Sequence, residues 1–193
     1  MKKEKVILKD GNTVIGDVFG PQTLSQLKSI FKDWLELNIK LNAINGRTLN
    51  VPDVLSEGLF CYYFDAIRTK DDAGSFDCVT KHDLKGVQVK SSSIDYDLTS
   101  FGPTSIWDEL YFIDFVPNGK IDGVIHFYKI EENFDNLILN RKKNETFKDQ
   151  QTQGRRPRFS IKREIIEKKS LKPIKIINLL EKEILCFKKK RKL

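Results

Sequence analysis

Residues 75–91 read SFDCVTKHDLKGVQVKS, and the architecture of the chain turns on them. SFDCVT (75–80) and GVQVKS (86–91) each have strand character, and KHDLKG (81–86) between them suits a hairpin turn. Side chains at i and i+2 of a strand project from one face, so Gln88 and Lys90 point together. A hairpin sets Asp77 of the first strand beside them. Asp77 sits between Phe76 and Cys78, a carboxylate inside an apolar run, where burial is costly unless something partners it.

Working outward, residues 23–41 predict an amphipathic helix, with Leu24, Leu27, Phe31, Trp34, Leu35 and Leu41 near a 3.6-residue period. Thr23 with Gln26 resembles a capping box at its start. Pro52 suits the first turn of a second helix running to about Arg68. Leu55, Leu59, Tyr62, Tyr63 and Ala66 make one face of it, and Phe60, Cys61 and Phe64 fall on others, so it is expected to be buried. Glu57 and Asp65 are then carboxylates on a buried helix. KDDAG (70–74), with Asp71 and Asp72, reads as a turn. Asp95–Ser105, with Gly102-Pro103, reads as a loop. Leu110–Val116 and Gly123–Ile130 predict two more strands, joined as a hairpin by PNGKID (117–122) with its Asn-Gly signal. Glu131–Asn140 is expected to form a short helix, 141–160 a polar loop, 161–169 a strand or helix, and 174–186 a final helix. The expected class is α/β, a central mixed sheet flanked by helices, in a single domain over residues 1–193.

Composition narrows the function. The chain has 193 residues, 39% of them hydrophobic, enough for one packed core. No apolar run is long enough to cross a bilayer, and MKKEKVILKDGN has no apolar core behind its basic residues, so no membrane partner and no signal peptide are expected. Cys61, Cys78 and Cys186 form no CxxC pair, which predicts reduced thiols in a cytoplasmic protein and no structural zinc. Two histidines, His82 and His126, leave little room for His-rich metal chemistry. Charge is segregated. Residues 141–193 hold 19 of the 34 lysines and arginines and 6 of the 27 acids, a net +13, so the rest carries −6 within an overall +7. An acidic body with a basic end suggests a polyanionic partner.

One carboxylate, one oxygen-bearing amide and one lysine at Asp77, Gln88 and Lys90 are what phosphodiester cleavage asks for. Mg²⁺ takes oxygen ligands and few protein groups. A lysine beside it can handle the attacking water's proton and offset developing charge. Glu57 is a second candidate carboxylate. Taken alone, Asp77-x10-Gln-x-Lys is a common pattern that an ordinary polar strand face also produces.

The helix with Glu57, the strand with Asp77, the strand with Gln88-Val89-Lys90 and a third strand resemble the core of the PD-(D/E)XK nuclease superfamily. GSFDCV, VQVKSSS, DLTSFGP, SIWDELYFIDF and QGRRPRFSI are similar, more closely, to the small type II restriction endonucleases acting on the interrupted palindrome GCNGC. This resemblance spans about residues 50–170. It implies a restriction-endonuclease-like fold, a bacterial cytoplasmic enzyme, and Mg²⁺-dependent cleavage of double-stranded DNA by a homodimer. A cognate DNA methyltransferase would act on the same site without needing to bind the enzyme. It also implies a catalytic core at about 50–130 and a basic DNA-recognition part at about 141–193. By position Asp77 is the central metal ligand, Lys90 the catalytic lysine, and Glu57 the helix acid that serves metal or outer contacts. Gln88 stands where the superfamily usually has Glu or Asp. Its amide oxygen can bind Mg²⁺ but adds no negative charge.

QQTQGRRPR (150–158) is the candidate reader of bases, since Arg suits guanine and Gln adenine. The residues concerned are Gln150, Gln151, Gln153, Arg155, Arg156 and Arg158, at least one arginine being expected on phosphate instead. His82 is expected in an exposed turn, Asp95 and Asp97 on a surface loop, Ser91, Ser92 and Ser93 within reach of phosphate, and Trp107 and Tyr111 in core or dimer contacts. Two other readings share these features. A structure-specific repair nuclease of the same fold would keep the metal site. A non-catalytic DNA-binding protein on a decayed nuclease core would explain Gln88.

Overall fold

In the computed structural model, which describes residues 1–69 and 76–181, an N-terminal hairpin, β1 (Lys3–Ile7) and β2 (Thr13–Val18), precedes two helices, α1 (Pro21–Ala43) and α2 (Asp53–Tyr63). Next come β3 (Ala66–Thr69), β4 (Cys78–Thr80), β5 (Gly86–Ser92), β6 (Thr99–Ser100), β7 (Glu109–Asp114) and β8 (Val124–Ile130). The C-terminal part holds β9 (Ile138–Asn140), β10 (Glu145–Thr146), α3 (Phe147–Thr152), β11 (Arg158–Phe159), a wide π-type helix at Lys162–Glu167, and β12 (Lys175–Asn178). Eight strands make one sheet in the order β1-β2-β3-β4-β5-β7-β8-β12. It is mixed: β5 and β7 run parallel and every other neighbour pair antiparallel. The expected α/β class, the hairpin from β4 to β5 and the hairpin from β7 to β8 are all present.

Strand alternation splits the molecule into two cores. Val87, Val89, Tyr111, Ile113, Ile125 and Phe127 turn toward α1 and α2, meeting Leu27, Phe31, Leu55, Leu59 and Phe60. Leu110, Phe112, Tyr128 and Ile130 face the other way, onto Phe101, Phe134, Phe147, Phe159, Ile161 and Ile165. Gln88 and Lys90 alternate with Val87 and Val89 and so belong to this second side. The basic C-terminal part is the cover on it.

Several expectations are corrected. Helix α1 is capped from Gly20, with Pro21 in its first turn, and Thr23 is the residue whose Oγ1 accepts from the Gly20 N–H at 2.6 Å, so Thr23 closes the box instead of opening it. Helix α2 stops at Tyr63. Asp65 takes a left-handed conformation (φ 47°), reversing the chain into β3, so Ala66 and Arg68 lie on a strand. A buried strand and a buried helix share the same apolar run, which periodicity cannot separate. The stretch 131–140 forms no helix; its end pairs with Glu145–Thr146 as a small ribbon. The 141–160 loop contains α3 and two short strands. Residues 175–178 form β12 on the free edge of β8, not a helix; 182–186 of that expected helix lie outside the described residues. The N-terminal hairpin had a signal, the Asp10-Gly11 turn with φ +85° at Gly11. The KDDAG turn and Cys186 also lie outside the described residues. No helix among the described residues is long and apolar enough to cross a membrane.

Candidate active site

The site opens where β4 and β5 part company. They pair at Cys78 with Val87 and at Val79 with Gly86, and the Asp77 N–H still donates to the Val87 carbonyl at 2.9 Å. One step further, the Val89 N–H has no backbone partner from β4. It donates instead to Asp77 Oδ2 at 2.7 Å. The Asp77 side chain thus takes the place of a missing ladder bond, and the strands splay around it. Behind it, Thr69 pins Asp77 to β3 through N and Oγ1, each 2.9 Å from the Asp77 carbonyl.

The splay leaves a cleft of about 740 Å³ lined by Asp53, Glu57, Asp77, Lys90, Ser91, Arg156 and Arg158, among others. Glu57, Asp77 and Lys90 therefore meet, as expected. Gln88 is buried, and its carboxamide donates to Asp77 Oδ2 from behind. In this conformation it orients the aspartate and offers its nitrogen, not its oxygen, to the acid.

Burial governs the charges. It raises the Asp77 carboxyl above its usual range, against the Val89 N–H and the Lys90 ammonium, which both favour the anion. Burial likewise raises Glu57 to about 7; Arg68 opposes the shift, and Asp77 adds to it. Burial lowers Lys90, partly offset by Asp77, while Arg156 pushes the same way as burial. Arg68 holds the Glu57 carboxylate through Nε and is kept cationic by it against its own burial. Sequence reasoning missed Arg68 because it placed this residue at the end of a helix. The left-handed turn at Asp65, a conformation that Asp and Asn adopt more readily than most residues, brings it onto β3 beside Glu57.

Glu57 and Asp77 are hard oxygen donors. Among the described residues no three His, Cys, Asp or Glu side chains gather into a metal cage. Two carboxylates supplemented by water and phosphate oxygens suit Mg²⁺, which keeps several waters and takes one or two carboxylates. The donor set fits such an ion.

The six candidate DNA contacts separate. Gln150 and Gln151 sit on α3 and Gln153 caps it, before Gly154 turns the chain with φ +71°. Gln151 Nε2 is committed to the Gly102 carbonyl at 3.2 Å. Arg155 pairs with Glu145 at 2.6 Å. Arg156 and Arg158 are exposed and line the cleft with Asp77 and Glu57.

Other placements vary. His82 is exposed in its turn, as expected. Asp97 is not a surface residue. It is 6% exposed and gathers Thr99 Oγ1 at 2.7 Å, Ser160 Oγ, and the N–H groups of Ile161 and Lys162 at 3.0 and 3.3 Å. Asp95 and the buried Asp114 both pair with Lys162, at 3.0 and 3.1 Å. Ser91, Ser92 and Ser93 all line the cleft, but the Ser92 and Ser93 hydroxyls already donate to the carbonyls of Ile94 and Leu49. Trp107 packs on Phe101 and Tyr111 on Phe60, both within the protomer. Cys61 and Cys78 are buried and unbridged, their sulfurs 3.5 Å apart.

A family model described as Bsp6I restriction endonuclease matches residues 19–168. The chain is also 32% identical over 167 residues to a protein named type II restriction enzyme Bsp6I, from Bacillus sp. (strain RFL6), covering 82% of this chain and 93% of that one. No solved structure matches.

Proposed function

The chain belongs to the Bsp6I restriction endonuclease family, and from that premise we propose that it hydrolyses both strands of GCNGC sites with Mg²⁺ in the cleft between β4 and β5. Its being a sequence-specific DNA endonuclease follows from the family. One observation carries it. Asp77 fills the gap in the ladder, so its carboxylate, Glu57 and Lys90 share a cleft with two exposed arginines.

Asp77 and Glu57 would hold the ion, with Gln88 keeping Asp77 in register by its amide. Mg²⁺ supplies Lewis acidity at the scissile phosphate and makes a neighbouring water more acidic. Lys90 would orient that water, and its ammonium would offset the negative charge that builds as the water oxygen bonds to phosphorus and the bridging P–O bond breaks, the water's proton passing to solvent and the departing oxygen taking one up from it. Arg156, whose charge already bears on Lys90, is the arginine for phosphate. Arg158 reaches bases from β11, and Arg155 joins it once DNA displaces Glu145 from its guanidinium. Gln150, Gln151 and Gln153 set the α3 end of the same surface.

The core at about 50–130 and the basic part at about 141–193 act as one nuclease domain in the bacterial cytoplasm. A two-fold symmetric target calls for two copies, one per strand. A DNA methyltransferase marking the same sequence would protect host DNA.

Digestion of unmethylated plasmid with Mg²⁺, followed by sequencing of the ends, tests the reading. Ends sharing GCNGC support it. Ends set by nicks or junctions would move the assignment to a structure-specific nuclease. Binding without cleavage under Mg²⁺ and Mn²⁺ would mean a decayed site, with Gln88 the residue to explain.

A further inference from the structure

Lys90 is a half-buried cation with an unusual companion. Among the described residues its ammonium makes no ion pair and no hydrogen bond, and Nζ lies 5.7 Å from the centre of the Phe101 ring. An ammonium over an aromatic face is drawn to the ring's negative quadrupole. The ring holds the charge without offering an oxygen acceptor. All three N–H donors of Lys90 therefore stay free for water and phosphate, which a carboxylate partner would deny them.

Phe101 is itself firmly fixed. It is 1% exposed, lies parallel to Phe159 with ring centres 5.5 Å apart, and meets Phe147 edge-on at 5.4 Å. Its N–H donates to the Pro157 carbonyl at 3.0 Å, and β6 before it pairs with β11, Ser100 opposite Arg158. Nothing in the residue pattern around 101 announced this; FGPT reads as a loop apex.

We propose that Phe101 is a positioning residue whose ring seats the Lys90 ammonium in the cleft. The proposal rests on Lys90 being the catalytic lysine of a nuclease. It goes beyond that reading by giving a buried aromatic residue, 1% exposed and so out of direct reach of DNA, a part in the rate.

The test replaces Phe101 in the full chain with mono-, di- and trifluorophenylalanine. These drain the ring face of negative charge while keeping its shape. Single-turnover cleavage, metal-free DNA affinity and the melting temperature are measured for each. The expected result is a stepwise slowing, reaching about 2- to 30-fold across the series, with affinity and melting temperature flat. Phe101→Leu, which stays apolar but loses the ring face and some volume, should fall at or below the trifluoro point. A cleavage rate indifferent to fluorine number, or one that falls only in step with the melting temperature, would overturn the seat while leaving the nuclease reading intact. Wild-type protein inert on every DNA substrate would overturn that reading and this proposal together.

Discussion

The two sides of the cleft are built by opposite means. On one side, Asp77 immediately precedes β4 and Lys90 stands on β5, strands whose positions follow from backbone ladders running through β3 and β7. On the other, the segment carrying Arg156 and Arg158 has strands of only two residues and is held chiefly by side chains: Asp97 on Ser160, Ile161 and Lys162, Gln151 on Gly102, and Lys162 on Asp95 and Asp114. Chemistry tolerates little displacement, and a sheet supplies that rigidity. Reading a groove asks for exposed arginines on a backbone that can settle, and a few side-chain fastenings allow it. On the roles proposed above, regular structure would serve the first task and stitched irregular structure the second.

The largest effect that would sharpen this contrast is at the sheet side. Lys90→Ala should slow cleavage by about 10²–10⁴-fold, and Asp77→Ala should do at least as much, while gel-shift affinity for the target without metal stays within a few-fold. Loss of binding together with cleavage would erase the division of labour.

Next comes the stitched side. Asp97→Ala would strand two backbone N–H groups and two hydroxyls inside the cover, costing about 2–4 kcal/mol of stability, read from denaturant midpoints. If that variant unfolds like the parent, Asp97 is not the fastening described here.

A pH titration separates the two sides again. Glu57 is raised in the folded chain to about 7 from an ordinary 4.5. A raised carboxyl binds its proton more tightly folded than unfolded, so its contribution is complete below 4.5 and is lost as pH climbs through 7. The metal-free protein should therefore lose up to about 3 kcal/mol across that window. In Glu57→Gln, chemical denaturation at several pH values should show a flatter profile. An unchanged slope would assign the loss to other groups.

The smallest difference lies within the basic segment. Arg156→Ala should weaken binding alike on all sequences and reduce the salt slope by about 1, whereas Arg158→Ala should cost about 1–3 kcal/mol on the target and relax one base position. The reverse pattern would exchange their roles.

Legibility followed the same division. Asp77, Gln88 and Lys90 were readable because strand alternation is a strict period, and because a carboxylate between Phe76 and Cys78 is conspicuous. Glu57 was readable as an acid on an all-round apolar helix. Arg68, Asp97 and Phe101 were not. Each acquires its neighbours through a chain reversal or through contacts far along the chain, as Asp97 does with Ser160, 63 residues away, and residue preferences carry no information at that range. The false helix at 174–186 failed for a related reason. IKII suits either state, and only the free edge of β8 chose between them.

The pairing of β6 with β11 has a consequence for how such an enzyme changes its target. Loop grafts are the obvious route to a new recognition sequence, yet a graft across 150–160 would carry away the strand that fixes Phe101 and the serine that Asp97 grips. The donor loop would have to bring a matching partner for Ser100 and Thr99, or the chimera would bind and not cut. Single side-chain exchanges on the inherited backbone avoid that loss, so relatives with altered targets should differ at arginine and glutamine positions while keeping the length of this segment.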